Sequence, residues 1–140
     1  MGSTAKIIPI DNALPEAIGA VLTEQEAGAM FRAALSLFRL WGVSDNEAAI
    51  LLDLPVRTYA RWKADGAGRL GRDGKARLSN LMGIHKALRL IFRDPERAYE
   101  WPRLPNQALE DRSALQVMLG GELTDVMRVR RYLDAERGAW

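Results

Sequence analysis

The first clear feature of the sequence is a run of apolar residues at helical spacing between residues 27 and 41. Thr23 and Glu26 precede it with the spacing of a capping box, in which each side chain bonds the other residue's backbone amide. Gly42 follows the run, as glycine commonly does beyond a helix C-terminus. The pattern therefore predicts an amphipathic helix, whose apolar positions are Ala27, Met30, Phe31, Ala34, Leu35, Phe38 and Trp41.

Two shorter helices are predicted next. Ser44 and Glu47 have the spacing of a second capping box, and an apolar run follows them. Pro55 suits the first position of a third helix, which we expect to end near Ala64. The glycines of residues 66–74 then predict a loop, and its basic residues favour a flexible basic loop.

The C-terminal half continues this alternation of helices and breaks. We expect a long helix from about Lys75 to Phe92. Asp94-Pro95 then begins a short helix, which ends at Trp101-Pro102 because the residue before a proline avoids helical geometry. Residues 104–111 are expected to form an irregular connection.

A third capping box and a pair of glycines define the last two helices. Ser113 and Gln116 begin one helix, and Gly120-Gly121 ends it. The last helix is predicted from about Glu122 to Arg137. No stretch alternates with a period of two residues, so we predict no sheet and an all-α fold.

Residues 44–63 have the arrangement of a helix-turn-helix, with two short helices joined by a tight turn. In DNA-binding versions the second helix enters the major groove, and nearby cations hold phosphates. The residues predicted to contact DNA are Val56, Arg57, Thr58 and Arg61 near the bases, with Lys63, Arg69 and Arg72 at phosphates. The alternative is a helical hairpin kept for packing, with these residues as a solvated face.

Composition and charge narrow the class of protein. The chain has 140 residues, enough to bury a core without a disulfide or a metal. It has no cysteine, which suits a reducing cytoplasm, and no apolar run of transmembrane length. The net charge is only +2, but residues 54–77 hold seven bases and two acids, which is a candidate footprint for phosphate or for an acidic partner. We divide the chain into a weakly ordered segment (1–22), a helix-turn-helix region (23–74) and a C-terminal portion (75–140).

The residues that could support catalysis are too few to form a site. His85 is the only histidine, and it lies on the apolar face of its predicted helix, where a packing role is expected. The segment 66–71 spells G-x-G-x-x-G, but a nucleotide site of that type needs a preceding strand. We therefore predict no enzyme activity, no cofactor and no metal site.

Three segments of the C-terminal portion resemble a known family. They are residues 87–96 (ALRLIFRDPE), 101–109 (WPRLPNQAL) and 112–118 (RSALQVM). Together with the helix-turn-helix, they resemble antitoxins of the Xre/MbcA/ParS type, whose toxin-binding domain we therefore expect in residues 75–140. Glu110-Asp111 replaces the family's usual glycines and Ala114 its usual proline, so a differently shaped turn is expected.

The resemblance implies a partner and a function. The partner is a RES-domain toxin that acts on NAD, and the C-terminal part of the antitoxin covers the entrance to its active site. Antitoxins of this type are often homodimers that bind their own promoter through the helix-turn-helix. The alternative is a helix-turn-helix transcriptional regulator without a toxin partner, with C-terminal helices that serve only dimerisation.

We predict toxin contacts from the resemblance and from general interface chemistry. Apolar anchors supply most of the energy of an interface, whereas charges at its rim set specificity and association rate. The predicted residues are Asn106, Met118, Leu119, Arg130, Leu133, Arg137 and Trp140. For the arginines, a solvated helix surface is the alternative. We also expect that deletion of residues 122–140 abolishes neutralisation and leaves the earlier helices folded.

Overall fold

A computed structural model describes residues 22–138 and confirms the all-α architecture. The prediction that residues 1–22 are weakly ordered concerns, up to residue 21, a segment outside the described residues, and the predicted toxin contact of Trp140 also lies outside them. The helices of the described range are α1 (Glu24–Trp41), α2 (Asp45–Leu52), α3 (Val56–Asp65), α4 (Arg72–Ile91), α5 (Pro95–Glu100), α6 (Ala114–Met118) and α7 (Leu123–Gly138). None of these helices is long and apolar enough to cross a membrane.

All three predicted capping boxes are present, at the starts of α1, α2 and α6. Asp94 caps α5 with Pro95 in its first turn, as predicted. Pro55 lies one position before α3 and not inside it, and α4 begins three residues before the predicted start at Lys75. Gly42 ends α1 in the left-handed conformation, with φ of 71°.

The helix-turn-helix is fixed to α1 by aromatic packing. The rings of Tyr59 and Trp62 on α3 meet the ring of Phe31 edge to face, at centroid distances of 6.1 and 5.9 Å. Phe31 is completely buried, and small Ala48 and Ala49 on α2 lie in the same core. The tight turn between α2 and α3 is made by Asp53 at a φ of 54°, a conformation that aspartate tolerates better than most residues.

Helix α4 joins the helix-turn-helix to the C-terminal portion, because it packs against α1, α2 and α7. Its contact with α7 buries Val126, Val129 and Leu133. This packing argues against the expectation that residues 122–140 can be deleted while the earlier helices stay folded. The deletion removes three fully packed side chains from the single core cluster, and exposes the face of α4 beneath them.

A short antiparallel pair of strands corrects the prediction that no sheet is present. Strand β1 (Pro105–Asn106) pairs with β2 (Arg112–Ser113) across a turn. Two-residue strands are too short to give a period-two pattern, so the sequence did not reveal them. Glu110 and Asp111 occupy the turn at φ values of 61° and 66°, so both adopt the left-handed conformation that glycine favours.

Replacing Glu110 with glycine is expected to stabilise the protein. Relief of the left-handed strain is worth about 1–2 kcal/mol, and the entropy of glycine in the unfolded chain offsets about 0.5–1 kcal/mol of this. The exposed ion pairs of Glu110 with Arg112 and Arg128 contribute little. The melting temperature should rise by about 3 °C.

A matched glycine substitution should have the opposite sign. Lys86 is an exposed residue within α4, where the backbone is helical. Lys86→Gly should lower the free energy of unfolding by about 1 kcal/mol. Equal losses of stability in the Glu110→Gly and Lys86→Gly variants would contradict the assignment of strain to the turn.

Candidate DNA-binding and partner-binding surfaces

Helix α3 presents a basic outer face and an aromatic inner face. Tyr59 and Trp62 point into the core, and burial raises the pKa of the Tyr59 hydroxyl to about 12. Arg57 and Arg61, four residues apart and therefore on one side of the helix, are exposed. Exposed Ala60 and Ala64 accompany them and add little bulk, so the backbone of α3 can approach a groove closely.

The other residues predicted at the bases differ in accessibility. Val56 is 46% exposed at the start of α3, where an apolar side chain can contact a thymine methyl group. Thr58 is only partly exposed. Lys63, predicted at a phosphate, forms an ion pair with Asp45 at 2.9 Å between Nζ and Oδ1. Lys63 therefore contributes less free charge than the sequence indicated.

Residues 66–71, which we call the basic strap, connect α3 to α4. The sequence favoured a flexible loop, but the strap is held against the core. Leu70 is buried, and its backbone N–H donates to Glu24 Oε1 at 3.2 Å. A β-carbon at Gly68 would lie 2.8 Å from Trp62 Nε1, so only glycine permits this approach of the strap to the indole.

Glu24 uses both carboxylate oxygens at this junction. While Oε1 accepts from the strap, Oε2 forms an ion pair with Lys75 Nζ at 2.8 Å. The bond from Lys75 and the bond from the Leu70 amide together hold the pKa of Glu24 below its usual value. Arg69 and Arg72, the predicted phosphate contacts on either side, are exposed.

Burial argues against two of the predicted toxin contacts. Met118 and Leu133 are buried in the core, with exposed fractions of 0% and 2%. Apolar spacing marked them as anchors, but α6 and α7 pack against each other and α7 also packs against α4, so neither side chain is left on the surface. Leu119, which follows α6, remains partly exposed and is accessible to a partner.

Asn106 and Arg130 are largely engaged within the chain. The Asn106 side chain accepts from the Ala108 N–H at 2.8 Å and caps a 3₁₀ turn. Arg130 lies over Gly83 of α4, where a β-carbon would overlap its guanidinium, and forms an ion pair with Asp134 at 3.3 Å. These contacts fix the shape of the C-terminal portion and leave little of either group for a partner.

Other arginines of α7 remain on the surface. Arg137 is 39% exposed, with a long ion pair to Asp134 at 3.8 Å, and Arg128 is 46% exposed. Arg131 is exposed and makes no ion pair with any residue between 22 and 138. The accessible charge of α7 is thus carried by Arg128, Arg131 and Arg137.

Arg103 is a contact between the two portions that sequence reasoning missed. Its Nε donates to the Trp41 carbonyl at 2.7 Å, and its Nη2 donates to the Gly42 carbonyl at the end of α1. Nη2 also lies 3.5 Å from the Glu47 carboxylate at the start of α2. Arg103 and Glu47 border a cavity of 260 Å³ that Leu119 also lines. Trp41 and Arg103 are 62 positions apart in sequence, so no local sequence pattern predicts the hydrogen bond between them.

The residues considered for catalysis in the sequence analysis have packing or connecting roles in the structure. His85 is half-buried and stacks on Tyr99 at 5.9 Å, and burial lowers its pKa. The G-x-G-x-x-G segment follows helix α3 and not a strand. Between residues 22 and 138, no group of three or more histidines and carboxylates is placed to bind a metal ion.

Comparison with known proteins assigns both portions of the chain to known domain families. Residues 20–83 match the antitoxin Xre-like helix-turn-helix domain, and residues 87–138 match the antitoxin Xre/MbcA/ParS C-terminal toxin-binding domain. The chain is also 46% identical to the uncharacterized protein y4oB of Sinorhizobium fredii over 99 residues, which are 70% of this chain and 76% of that protein. The fold is therefore that of a helix-turn-helix antitoxin. The chain belongs to the Xre/MbcA/ParS antitoxin family, and its partner is a toxin.

Proposed function

We propose that this antitoxin neutralises a RES-domain toxin that consumes NAD, and that it does so in the cytoplasm by covering the toxin's active site. The observation that carries the proposal is the match of residues 87–138 to the toxin-binding domain, in the segment where the WPRLPNQAL motif occurs. The toxin-facing surface is centred on α7 and on Leu119. Arg131 and Arg137 pair with acidic groups at the rim of the toxin's cleft.

The distribution of charge on α7 supports this assignment. Helices packed on a core expose the side opposite their buried residues, and in α7 that side carries arginines. The toxin's dinucleotide-binding cleft can accept a basic segment such as α7 only where acidic residues of the toxin surround the entrance to that cleft. Such charges set specificity and association rate, whereas a neighbouring apolar residue such as Leu119 adds affinity.

Reversing the charge of Arg131 and Arg137 together is expected to weaken toxin binding by about one to two orders of magnitude. The measurement is the affinity of the purified full-length variant for the toxin encoded beside it. NAD consumption by that toxin is measured in parallel. The expected result is that Arg131→Glu/Arg137→Glu restores NAD consumption at concentrations where the native antitoxin suppresses it.

A matched variant separates this role from a general effect of charge. Arg32 and Arg39 are exposed on α1, so Arg32→Glu/Arg39→Glu makes the same change in net charge outside the proposed surface. It should neutralise the toxin normally. If both double variants neutralise equally well, α7 is not the toxin-facing surface. If the toxin does not consume NAD, the proposed toxin class is wrong, and if it consumes NAD equally with and without the native antitoxin, the proposed neutralisation is wrong.

We also propose that the antitoxin acts as a homodimer and represses its own promoter. The exposed Arg57 and Arg61 of α3, with Val56 at its start, support DNA binding in the major groove. The alternative from the sequence, a transcriptional regulator without a toxin partner, does not agree with the match of residues 87–138 to a toxin-binding domain. Copurification with the product of the neighbouring gene distinguishes the two, because the regulator needs only DNA.

A further inference from the structure

The basic strap is unusually well fixed for a segment rich in glycine. The Gly68 backbone lies against the Trp62 indole, the Leu70 side chain is buried, and the Leu70 N–H bonds to Glu24. These contacts join the strap to the core at three points. Glycine-rich loops have high conformational entropy, so anchoring at three points indicates that its position matters.

The strap and the first turn of α4 hold cations that the described chain does not neutralise. Arg69 and Arg72 are exposed, and neither forms an ion pair with any residue between 22 and 138. Lys75, by contrast, is engaged by Glu24 and is only 16% exposed. Lys63 is engaged by Asp45. Lys63 and Lys75 are thus engaged in ion pairs, whereas Arg69 and Arg72 are available to contact a ligand.

We propose that the basic strap is a phosphate clamp beside the recognition helix α3, and that Glu24 is the positioning residue that holds it in place. Arg69 and Arg72 contact the DNA backbone, which fixes the register of α3 without reading sequence. Glu24 acts through the Leu70 amide and Lys75 and does not itself touch DNA. This inference rests on the proposed DNA binding and assigns a role to an acidic residue within that surface.

Removal of the Glu24 charge tests the inference, because the positioning role and simple charge repulsion predict opposite changes in DNA affinity. DNA repels carboxylates, so removing an acid near the binding surface ordinarily strengthens binding. A positioning role predicts the reverse, because Glu24→Gln removes the ion pair with Lys75 and replaces the charged acceptor of the Leu70 N–H by a weaker neutral one, which loosens the strap. Arg69, which lies in the strap, must then be ordered on binding, which costs conformational entropy.

The experiment measures binding of the full-length protein to a duplex of its own promoter region, by fluorescence anisotropy at several salt concentrations. Glu24→Gln is expected to weaken binding about three- to tenfold, and to reduce the slope of log K against log salt by about 1, since the loss of the Arg69 phosphate contact removes nearly one unit. A purely structural role would leave this slope unchanged. The control is Glu26→Gln, which removes the same charge two positions away and keeps a capping box, because glutamine also serves at that position.

Each outcome decides between the interpretations. Weaker binding and a smaller slope for Glu24→Gln, with Glu26→Gln equal to or tighter than the native protein, support the clamp. Equal behaviour of the two variants overturns the role of Glu24 while the DNA-binding proposal stands. If the native protein does not bind the promoter duplex even at low salt, both the clamp and the proposed repression are wrong.

Discussion

Replacing Phe31 with alanine is expected to lower the free energy of unfolding by about 3–5 kcal/mol. The ring is fully buried and contacts both aromatic anchors of α3 edge to face. Truncation removes the transfer free energy of the ring and leaves a cavity between α1 and α3. This loss is a large fraction of the total stability of a small domain, which is about 5–15 kcal/mol. Because Phe31 holds α3, the helix-turn-helix should loosen first.

Urea denaturation followed by circular dichroism measures this loss. The same helix offers a control in Leu40, which is 48% exposed and lies outside the core. Leu40→Ala should cost less than about 1 kcal/mol. Similar midpoints for the Phe31→Ala and Leu40→Ala variants would contradict the view that Phe31 anchors α3.

The helices and their ends were predictable because their signals are local. A capping box spans four residues, and an apolar stripe needs only the spacing of one helix. The pairs Thr23/Glu26, Ser44/Glu47 and Ser113/Gln116 therefore gave correct helix starts before any packing was known. The helix-turn-helix followed from the order of these short helices.

The details of the surfaces were less predictable because they depend on residues far apart in sequence. Glu24 bonds Leu70 across 46 positions, and Arg103 bonds Gly42 across 61. Apolar periodicity also does not say whether a helix face meets its own chain or a partner. This ambiguity explains why Met118 and Leu133 were assigned to the toxin and lie in the core.

Arg77 is a buried cation, and the removal of its carboxylate partner is the second substitution for which we expect a large loss of stability. Its side chain is 4% exposed, its Nε bonds Asp73 at 2.6 Å, and its Nη1 donates to the Leu51 carbonyl of α2 at 3.2 Å. The guanidinium thus joins α4 to the last turn of α2. A buried charge is tolerated only while it is paired, so its stability depends on Asp73.

Asp73→Ala is expected to lower the free energy of unfolding by about 2 kcal/mol. This is below the 3–5 kcal/mol typical of a broken buried pair, because Asp73 itself is 53% exposed and water partly screens the pair. Thermal and urea unfolding of the purified variant provide the measurement. The deficit should come from the unpaired guanidinium and not from the missing carboxylate.

A double variant tests that cause. In Asp73→Ala/Arg77→Met the buried charge is gone and the apolar stem is retained, so about half of the lost stability should return, with the Leu51 carbonyl left without its donor. A double variant no more stable than Asp73→Ala would mean that the deficit comes from the missing carboxylate and not from the unpaired guanidinium. Recovery instead means that the deficit comes from the unpaired guanidinium, so that Asp73 serves to compensate the buried cation that joins α4 to α2.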